Sequence, residues 1–203
     1  MRQNRKGKVI GLTGGVGCGK STALSILQRD FGAKLIMADD LGHMVMETGH
    51  PAYEEICRHF GGGVLAEDGT LDRGALAQAV YSDRERLAVL NGIIHPYVLE
   101  EIKKKLDLWR AEPFVVIETA IMFETGCDKL CDEVWAVLAD REVRIGRLMQ
   151  SRGYTRQRAE AIMARQMDDG QFRVRCSRII ENNGDREQLK NRLKKLTDLY
   201  ILC

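Results

Sequence analysis

The sequence predicts an α/β fold in which helices cover both faces of a parallel β-sheet. Apolar runs of strand length recur along the chain, helical patterns separate them, and a glycine-rich turn joins the first run to the first helix. Residues 114–117 and 134–138 are apolar without interruption, which is typical of strands that are buried on both faces. Because parallel strands need long crossover connections, this alternation favours a parallel sheet within one domain.

Five strands and the helices between them can be placed in order along the chain. Val9–Thr13 is the first strand candidate, and the helix after it has apolar residues at helical spacing up to Phe31, with Gly32 placed to end it. The other strands are expected at Lys34–Ala38, Phe114–Ile117, Val134–Leu138 and, from a weaker pattern, Arg178–Ile180. A final helix is expected from about Asp185, with an apolar stripe that we interpret as core packing, formed by Leu189, Leu193, Leu196 and Tyr200.

The long segment between the second and third strands has helical patterns only. Ser82 and Glu85 fit a capping box, and apolar residues follow at helical spacing up to Ile94. Pro96 is expected to end this helix and to stand in the first turn of the next one. The pattern predicts a helical lobe at about residues 49–111, inserted into a sheet core of about residues 8–48 and 112–203.

Composition and cysteine spacing limit the classes of protein that fit. The 203 residues carry a formal net charge of +2, and no apolar run approaches the roughly 18 residues of a membrane span. The six cysteines form no Cys-x-x-Cys pair, which favours scattered free thiols over a zinc site. The basic N-terminus leads into a strand too short for a signal-peptide core. We therefore expect a cytoplasmic protein that binds no membrane and needs no obligatory protein partner.

Positive charge is concentrated in residues 141–178, which contain ten arginines, four acidic residues and no lysine. Because arginine binds phosphate oxygens in a bidentate way, this segment suits a lid, at about residues 141–175, over a phosphorylated ligand. The alternative is an ordinary solvated helix face. Nucleic acid is not an expected partner, since the whole chain is not strongly basic.

The most specific motif is a glycine-rich loop that follows the first strand and opens the first helix. Its residues fit G-x-x-x-x-G-K-[ST], and they are Gly14, Gly15, Val16, Gly17, Cys18, Gly19, Lys20, Ser21 and Thr22. In such a P-loop, backbone N–H groups surround a phosphate, and the helix N-terminus favours its negative charge. Lys20 is expected to bridge the β- and γ-phosphates, and the Ser21 hydroxyl to bind Mg²⁺. The motif therefore predicts a nucleoside triphosphate site.

The P-loop alone does not determine the reaction, because kinases, switches and motor ATPases share it. The guanine-reading Asn/Thr-Lys-x-Asp motif of GTPases does not occur in the sequence. A kinase for a small acceptor needs a carboxylate, an acceptor lobe and mobile arginines. Asp39, the helical lobe and the Arg141–Arg178 segment supply them in that order. Glu118 could assist Mg²⁺ or be an ordinary strand-end carboxylate. Two alternatives remain open: a kinase for a nucleoside monophosphate or small polyol, and a nucleotide-dependent switch or binding module.

Further motifs make the chain resemble the dephospho-CoA kinase family over nearly its whole length. The strongest match is the opening segment, Val9–Thr22. The other matching motifs are Ala38-Asp39, Gly42-His43, Asp68–Arg73, Leu90-Asn91, His95-Pro96, Phe123-Glu124, Arg147–Arg152, Gln166-Met167, Asn182-x-Gly184 and the closing amphipathic helix. The resemblance implies a P-loop kinase that uses ATP and Mg²⁺ to phosphorylate the ribose 3′-hydroxyl of dephospho-CoA.

The resemblance also implies roles for individual residues. Asp39 matches the carboxylate that orients the acceptor hydroxyl or accepts its proton. Arg147 belongs to the lid helix that approaches the phosphates, and Asn182 lies in the loop beside the base of ATP. Lys20, Asp39 and Arg147 are then expected to be catalytic. The residues assigned to dephospho-CoA binding are Asp39, His95, Phe123 and Glu124.

Some of these residues also have simpler interpretations, and two others depart from the family pattern. Asp39 could cap the helix that follows the second strand, and His95 could be a buried hydrogen-bonding residue that sets a helix break. Cys18 is expected to contribute mainly its backbone N–H. Met37 stands where an aspartate is usual in the family, and Asp168 stands where a proline often follows the Gln-Met pair.

Overall fold

Five strands form in the computed structural model, which describes residues 7–81 and 83–201. They are β1 Lys8–Thr13, β2 Lys34–Met37, β3 Phe114–Glu118, β4 Glu133–Leu138 and β5 Arg178–Glu181. Each lies within one residue, at either end, of the strand expected from the sequence. The short, uninterrupted apolar runs were therefore a sufficient signal for the strands.

Helices fill the connections between the strands. They are α1 Lys20–Phe31, α2 Ala38–Met44, α3 Pro51–Phe60, α4 Arg73–Tyr81, α5 Arg84–Leu108, α6 Arg141–Arg152, α7 Arg156–Met163, α8 Asp169–Arg175 and α9 Arg186–Ile201. Gly32 ends α1 as predicted, because its φ of 70° is left-handed and its N–H bonds to the Leu27 carbonyl. Leu189 and Leu193 of the predicted α9 stripe are buried, whereas the side chain of Tyr200 lies outside the described ones.

The strands form a parallel sheet in the order β2-β3-β1-β4-β5. β1 lies in the middle and pairs with β3, with Val9 opposite Val115, and with β4, with Gly11 opposite Val134. The chain therefore leaves the carboxyl end of β1 at the point where the strand order changes direction. In open α/β sheets, ligands bind at this switch point, which is where the glycine-rich loop stands.

The core of the sheet is apolar on both faces. All five residues of β3 are buried, and β4 is buried from Val134 onward. Phe114 and Trp135 are among the largest fully buried side chains, and their ring centroids lie 6.1 Å apart. This packing explains why the central strands have no alternation of polar and apolar residues.

The chain divides into two compact units. One unit contains the residues up to Ile36 together with those from Leu108 onward, and it holds the sheet, α1 and α6–α9. The other is Met37–Asp107, which holds α2–α5. In the described part of the chain, no helix is long and apolar enough to cross a membrane.

The predicted helix break at Pro96 is wrong. α5 is continuous over 25 residues, with Pro96 inside it. A proline in a helix removes one hydrogen bond and clashes with the carbonyl four residues earlier, which here belongs to the exposed Gly92. Buried side chains on both sides of the proline hold the two halves in one helix, namely Leu90, Ile93, Val98 and Ile102.

Two aspartates cap helices in the described part of the chain. Ser82, the predicted capping residue of α5, lies outside the described residues. Asp83 accepts hydrogen bonds from the backbone N–H groups of Glu85 and Arg86, both at 3.0 Å. Asp168, which departs from the family pattern, is the N-cap of α8 and forms a capping box with Gln171. The aspartate therefore starts α8 with a side-chain cap that a proline could not provide.

Candidate active site

The glycine-rich loop leaves β1 and ends at Gly19, the N-cap of α1. Gly14, Gly17 and Gly19 have φ values of 139°, 77° and 96°, a region that favours glycine. The loop is also packed too closely to admit side chains. A Cβ on Gly15 would lie 2.2 Å from Nη2 of Arg144, and a Cβ on Gly19 would lie 2.2 Å from Nδ2 of Asn182. The glycines therefore bring Arg144 and Asn182 against the main chain of the loop.

The side chain of Lys20 bonds back to the first residue of its own loop. Its Nζ donates to the carbonyl oxygen of Gly14 at 2.8 Å and lies 4.0 Å from Oε1 of Glu118. The side chains of Lys20 and Glu118 are 16% and 9% exposed, so this ion pair is largely screened from water. Glu118 is the last residue of β3, and its position beside Lys20 follows from the pairing of β3 with β1.

Ser21 is exposed in the first turn of α1, and Thr22 beside it is half-buried. Within the described residues, no group of three or more His, Cys, Asp or Glu side chains is placed to hold a metal ion. Mg²⁺ commonly takes one or two protein ligands and fills its other positions with phosphate oxygens and water. A hydroxyl at the mouth of a phosphate loop fits that donor set.

Asn182 and Arg147 meet the loop at the same carbonyl group, that of Cys18. Asn182 follows β5 directly, is 5% exposed, and donates from Nδ2 to the Cys18 oxygen at 2.8 Å. Arg147, on α6, donates from Nη1 to the same oxygen at 3.4 Å and from Nη2 to the Gly184 oxygen at 3.3 Å. The structure thus brings together two predicted site residues that are 35 positions apart in the sequence.

Cys18 contributes its carbonyl oxygen to these contacts, whereas the prediction concerned its backbone N–H. Its side chain is 1% exposed, and burial raises the pKa of the thiol, although the charges of Lys20 and Arg144 oppose this rise. The thiol is therefore protonated and shielded at neutral pH. The cysteines of the described residues are free, as the sequence predicts, and Cys203 lies outside them.

Arg144 and Gln166 contact the loop in a way that the sequence analysis missed. Arg144 is 7% exposed, and its Nε donates to the Val16 carbonyl oxygen at 2.9 Å. The Val16 N–H donates to Oε1 of Gln166 at 2.8 Å. Gln166 had been noted only as part of a family motif, and Arg144 only as one of ten arginines. No periodicity in the sequence separates a buried arginine from an exposed one.

Other arginines of the lid segment contact acidic or aromatic side chains. Arg156 pairs with Glu142 and Glu160, and all three have exposed or half-exposed side chains. Further contacts are those of Arg141 with Glu160, Arg158 with the Tyr154 ring, Arg173 with Glu181, and Arg175 with the Phe123 ring. The solvated-face interpretation is therefore right for these arginines, whereas Arg144 and Arg147 contact the loop.

A cavity of about 100 Å³ opens beside the loop. Gly14 and Gly15 line one side, and Glu124 and Arg165 also reach it. Phe123, the neighbour of Glu124, packs instead against the cluster that contains Phe172. The structure thus places the predicted Glu124 at the cavity and Phe123 in the wall behind it.

Asp39 and His95 belong to the unit Met37–Asp107. Asp39 is exposed in the first turn of α2, whose N-cap is Met37, and its carboxylate caps nothing. The capping alternative for Asp39 is therefore wrong. His95 is half-buried inside α5, where burial lowers its pKa, and it marks no helix break.

Comparison with known proteins identifies relatives along almost the whole chain. The dephospho-CoA kinase family model matches residues 8–188. A dephospho-CoA kinase from Symbiobacterium thermophilum is 40% identical over 185 residues, which cover 90% of this chain and 77% of that protein. A dephospho-CoA kinase from Moorella thermoacetica is 42% identical over 182 residues, covering 88% of this chain and 85% of that protein.

The fold is shared as well. A crystal structure of a Thermus thermophilus protein aligns with a TM-score of 0.81 and 34% identity, covering 96% of this chain and 98% of that one. The family match begins at β1, includes the whole P-loop and the lid segment, and ends within α9. The chain therefore belongs to the dephospho-CoA kinase family.

Proposed function

We propose that this protein transfers the γ-phosphoryl group of ATP to the ribose 3′-hydroxyl of dephospho-CoA, giving coenzyme A and ADP in the last step of coenzyme A synthesis. The observation that carries the proposal is the P-loop at the sheet's switch point, with Lys20 held between Gly14 and Glu118. Membership of the dephospho-CoA kinase family supports the choice of acceptor. A cytoplasmic location is part of the same proposal.

The nucleotide side of the site depends on positioning and charge. Backbone N–H groups of the loop, other than that of Val16, which bonds to Gln166, bind the phosphates together with the N-terminus of α1. Lys20 neutralises the charge that builds up during transfer. Arg147 adds a second cation from the lid. Asn182 fixes the loop by its hydrogen bond to the Cys18 carbonyl. It also borders the base of ATP, and its position directly after β5 supports this assignment.

The acceptor side depends on Asp39. Its exposed carboxylate has no hydrogen bond or ion pair among the described residues, which leaves it available to orient the ribose hydroxyl and accept its proton. The hydroxyl oxygen bonds to the γ-phosphorus while the bond to the ADP oxygen breaks. His95, Phe123 and Glu124 are the further residues that we assign to dephospho-CoA.

Ser21 is the residue that we assign to Mg²⁺. Its hydroxyl is exposed at the mouth of the loop, where a cation would also meet the phosphates. A bound Mg²⁺ would supply further neutralisation of phosphate charge. Ser21 orients that ion, and Lys20 and the loop N–H groups hold the phosphates independently of it.

The proposal is tested by incubating the protein with ATP, Mg²⁺ and a panel of acceptors. The panel contains dephospho-CoA, nucleoside monophosphates, small polyols and a reaction without acceptor. We expect stoichiometric ADP and coenzyme A from dephospho-CoA alone. Phosphorylation of another acceptor instead would establish a different kinase, and slow hydrolysis without transfer would establish a nucleotide switch.

A further inference from the structure

The backbone of one P-loop residue, Val16, is held at both of its polar groups by lid side chains. Its N–H donates to Oε1 of Gln166 at 2.8 Å, and its carbonyl oxygen accepts from Nε of Arg144 at 2.9 Å. The two side chains also meet each other, because Nη2 of Arg144 donates to the same Gln166 oxygen at 3.4 Å. These contacts form a closed group of three residues, which we call the Val16 clamp.

Arg144 is fixed firmly enough to act as the rigid part of this clamp. It is 7% exposed, and its Nη1 lies 3.6 Å from Oδ1 of Asp169 in the first turn of α8. Its own backbone also lies against the loop, since a Cβ on Gly17 would stand 2.9 Å from the Arg144 carbonyl oxygen. A buried guanidinium needs partners of this kind, and the loop carbonyl is one of them.

Gln166 gives the clamp a connection to the rest of the lid. It lies between α7 and α8, 150 positions after Val16, whereas Arg144 lies on α6. The conformation of the Gly15–Gly17 stretch is therefore set by two separate parts of the lid segment. Phosphate binding by backbone N–H groups depends on their direction, and misplacement of such groups by about 1 Å lowers rates strongly.

We propose that Arg144 and Gln166 are positioning residues that hold the P-loop in its phosphate-binding shape and couple that shape to the lid. The expected effect on catalysis rests on the proposed function, whereas the contacts of the clamp with Val16 do not. Gln166 contributes an acceptor for one N–H, and Arg144 contributes a planar donor for the neighbouring carbonyl. A lysine at 144 keeps the charge but loses the fork that reaches both the carbonyl and the Gln166 oxygen.

The direct test is hydrogen exchange of the Val16 N–H, measured by NMR on the full chain without substrate. Gln166→Leu removes the acceptor, so we expect exchange to accelerate by about tenfold, the equivalent of one lost hydrogen bond. Gln166→Glu keeps an acceptor oxygen and adds a charge that Arg144 can pair with, so protection is expected to persist. Gln157→Leu, at an exposed position of α7, is the matched control and is expected to leave exchange unchanged.

The catalytic test uses the same variants together with Arg144→Lys. Gln166→Leu and Arg144→Lys are expected to weaken ATP binding by about tenfold, with less than about a twofold change in the KM for dephospho-CoA. Thermal unfolding separates this effect from loss of the fold. Wild-type exchange in Gln166→Leu, or equal acceleration in Gln157→Leu, would overturn the clamp. If the variants change Val16 exchange as predicted but the wild type does not phosphorylate dephospho-CoA, the proposed function is overturned and the clamp is supported.

Discussion

Lys20 is the only cationic side chain that the P-loop itself carries, and the main chain of the loop fixes its direction. Its Nζ bonds to the Gly14 carbonyl, close to the carboxylate of Glu118. A phosphate that enters the loop therefore meets a positioned ammonium group in a site that is partly shielded from water. This arrangement raises the electrostatic contribution of one charge above what it would have on the surface.

Lys20→Ala is expected to lower phosphoryl transfer by at least about 100-fold, in line with the removal of one positioned charge. The variant is expected to fold, because the loop keeps its bonds to Asn182, Arg144 and Gln166. Steady-state kinetics with ATP and dephospho-CoA measure the effect, and circular dichroism verifies the fold. Turnover close to that of the wild type would exclude Lys20 from the phosphate site.

Asp39→Asn is expected to bind ATP normally and to phosphorylate dephospho-CoA far more slowly. The substitution keeps the shape of the side chain and removes the charge that orients the hydroxyl or accepts its proton. Calorimetric ATP titration and turnover at saturation separate the two steps. If ATP affinity fell and saturated turnover stayed high, Asp39 would belong to the nucleotide side.

Arg147→Lys tests whether the planar fork of this residue is needed. The guanidinium spans the Cys18 and Gly184 carbonyls, and a lysine cannot contact both. We expect turnover to fall by roughly tenfold, about 1.4 kcal/mol in the barrier. Arg156→Lys is the control, since Arg156 is exposed and pairs with Glu142 and Glu160. Equal, small losses in both variants would show that neither guanidinium acts in transfer.

At the level of secondary structure, α5 shows how packing overrides a local signal. Pro96 is exposed, and apolar residues before and after it along the same helix are buried. The free energy gained by burying them exceeds the roughly 3 kcal/mol that a proline costs inside a helix. In the predicted strands the local preference and the packing agree, because apolar runs and β-branched residues favour a strand that is buried in a sheet.

This interpretation predicts that α5 becomes more stable when its helix-breaking residues are replaced. Gly92→Ala is expected to raise the free energy of unfolding by about 0.5–1 kcal/mol, since nothing lies within 4 Å of the added Cβ. Pro96→Ala is expected to raise it by about 2 kcal/mol, because a backbone hydrogen bond toward Gly92 becomes possible. Urea denaturation measures both changes. Destabilisation in both variants would show that the helix is interrupted in solution.

For the whole molecule, His95 makes stability depend on pH. Burial lowers the pKa of His95 below its ordinary value of 6.5, so the unfolded chain takes up a proton at a higher pH than the folded chain. The contribution of His95 is therefore fully present above pH 6.5 and is lost as the pH falls below that value.

His95→Gln is expected to flatten the fall in the free energy of unfolding between about pH 7 and pH 5. The measurement is a series of urea unfolding curves across that range for the wild type and the variant. His59→Gln is the matched control, because His59 is exposed on α3 and its replacement is expected to leave the curve unchanged. Identical slopes for the wild type and His95→Gln would contradict the assignment.

Much of the site could be predicted because its signals are local. The P-loop needs glycines at fixed spacing, a strand before it and a helix after it, and all of these lie within residues 8–31. The lid could be predicted only as a segment. Which of its arginines contacts the loop depends on which face of α6 lies against the loop, and neither charge nor spacing specifies that face.

Local sequence patterns were enough to predict the five strands, the P-loop and the family, because apolar runs and motif spacing are properties of neighbouring residues. The folded chain was needed to show that Glu118 stands beside Lys20, that Asn182 and Arg147 share the Cys18 carbonyl, and that α5 continues through Pro96. Contacts between residues about 100 or more positions apart exist only once the sheet has brought its strand ends together. Their energies come from burial and hydrogen bonding that no local pattern records.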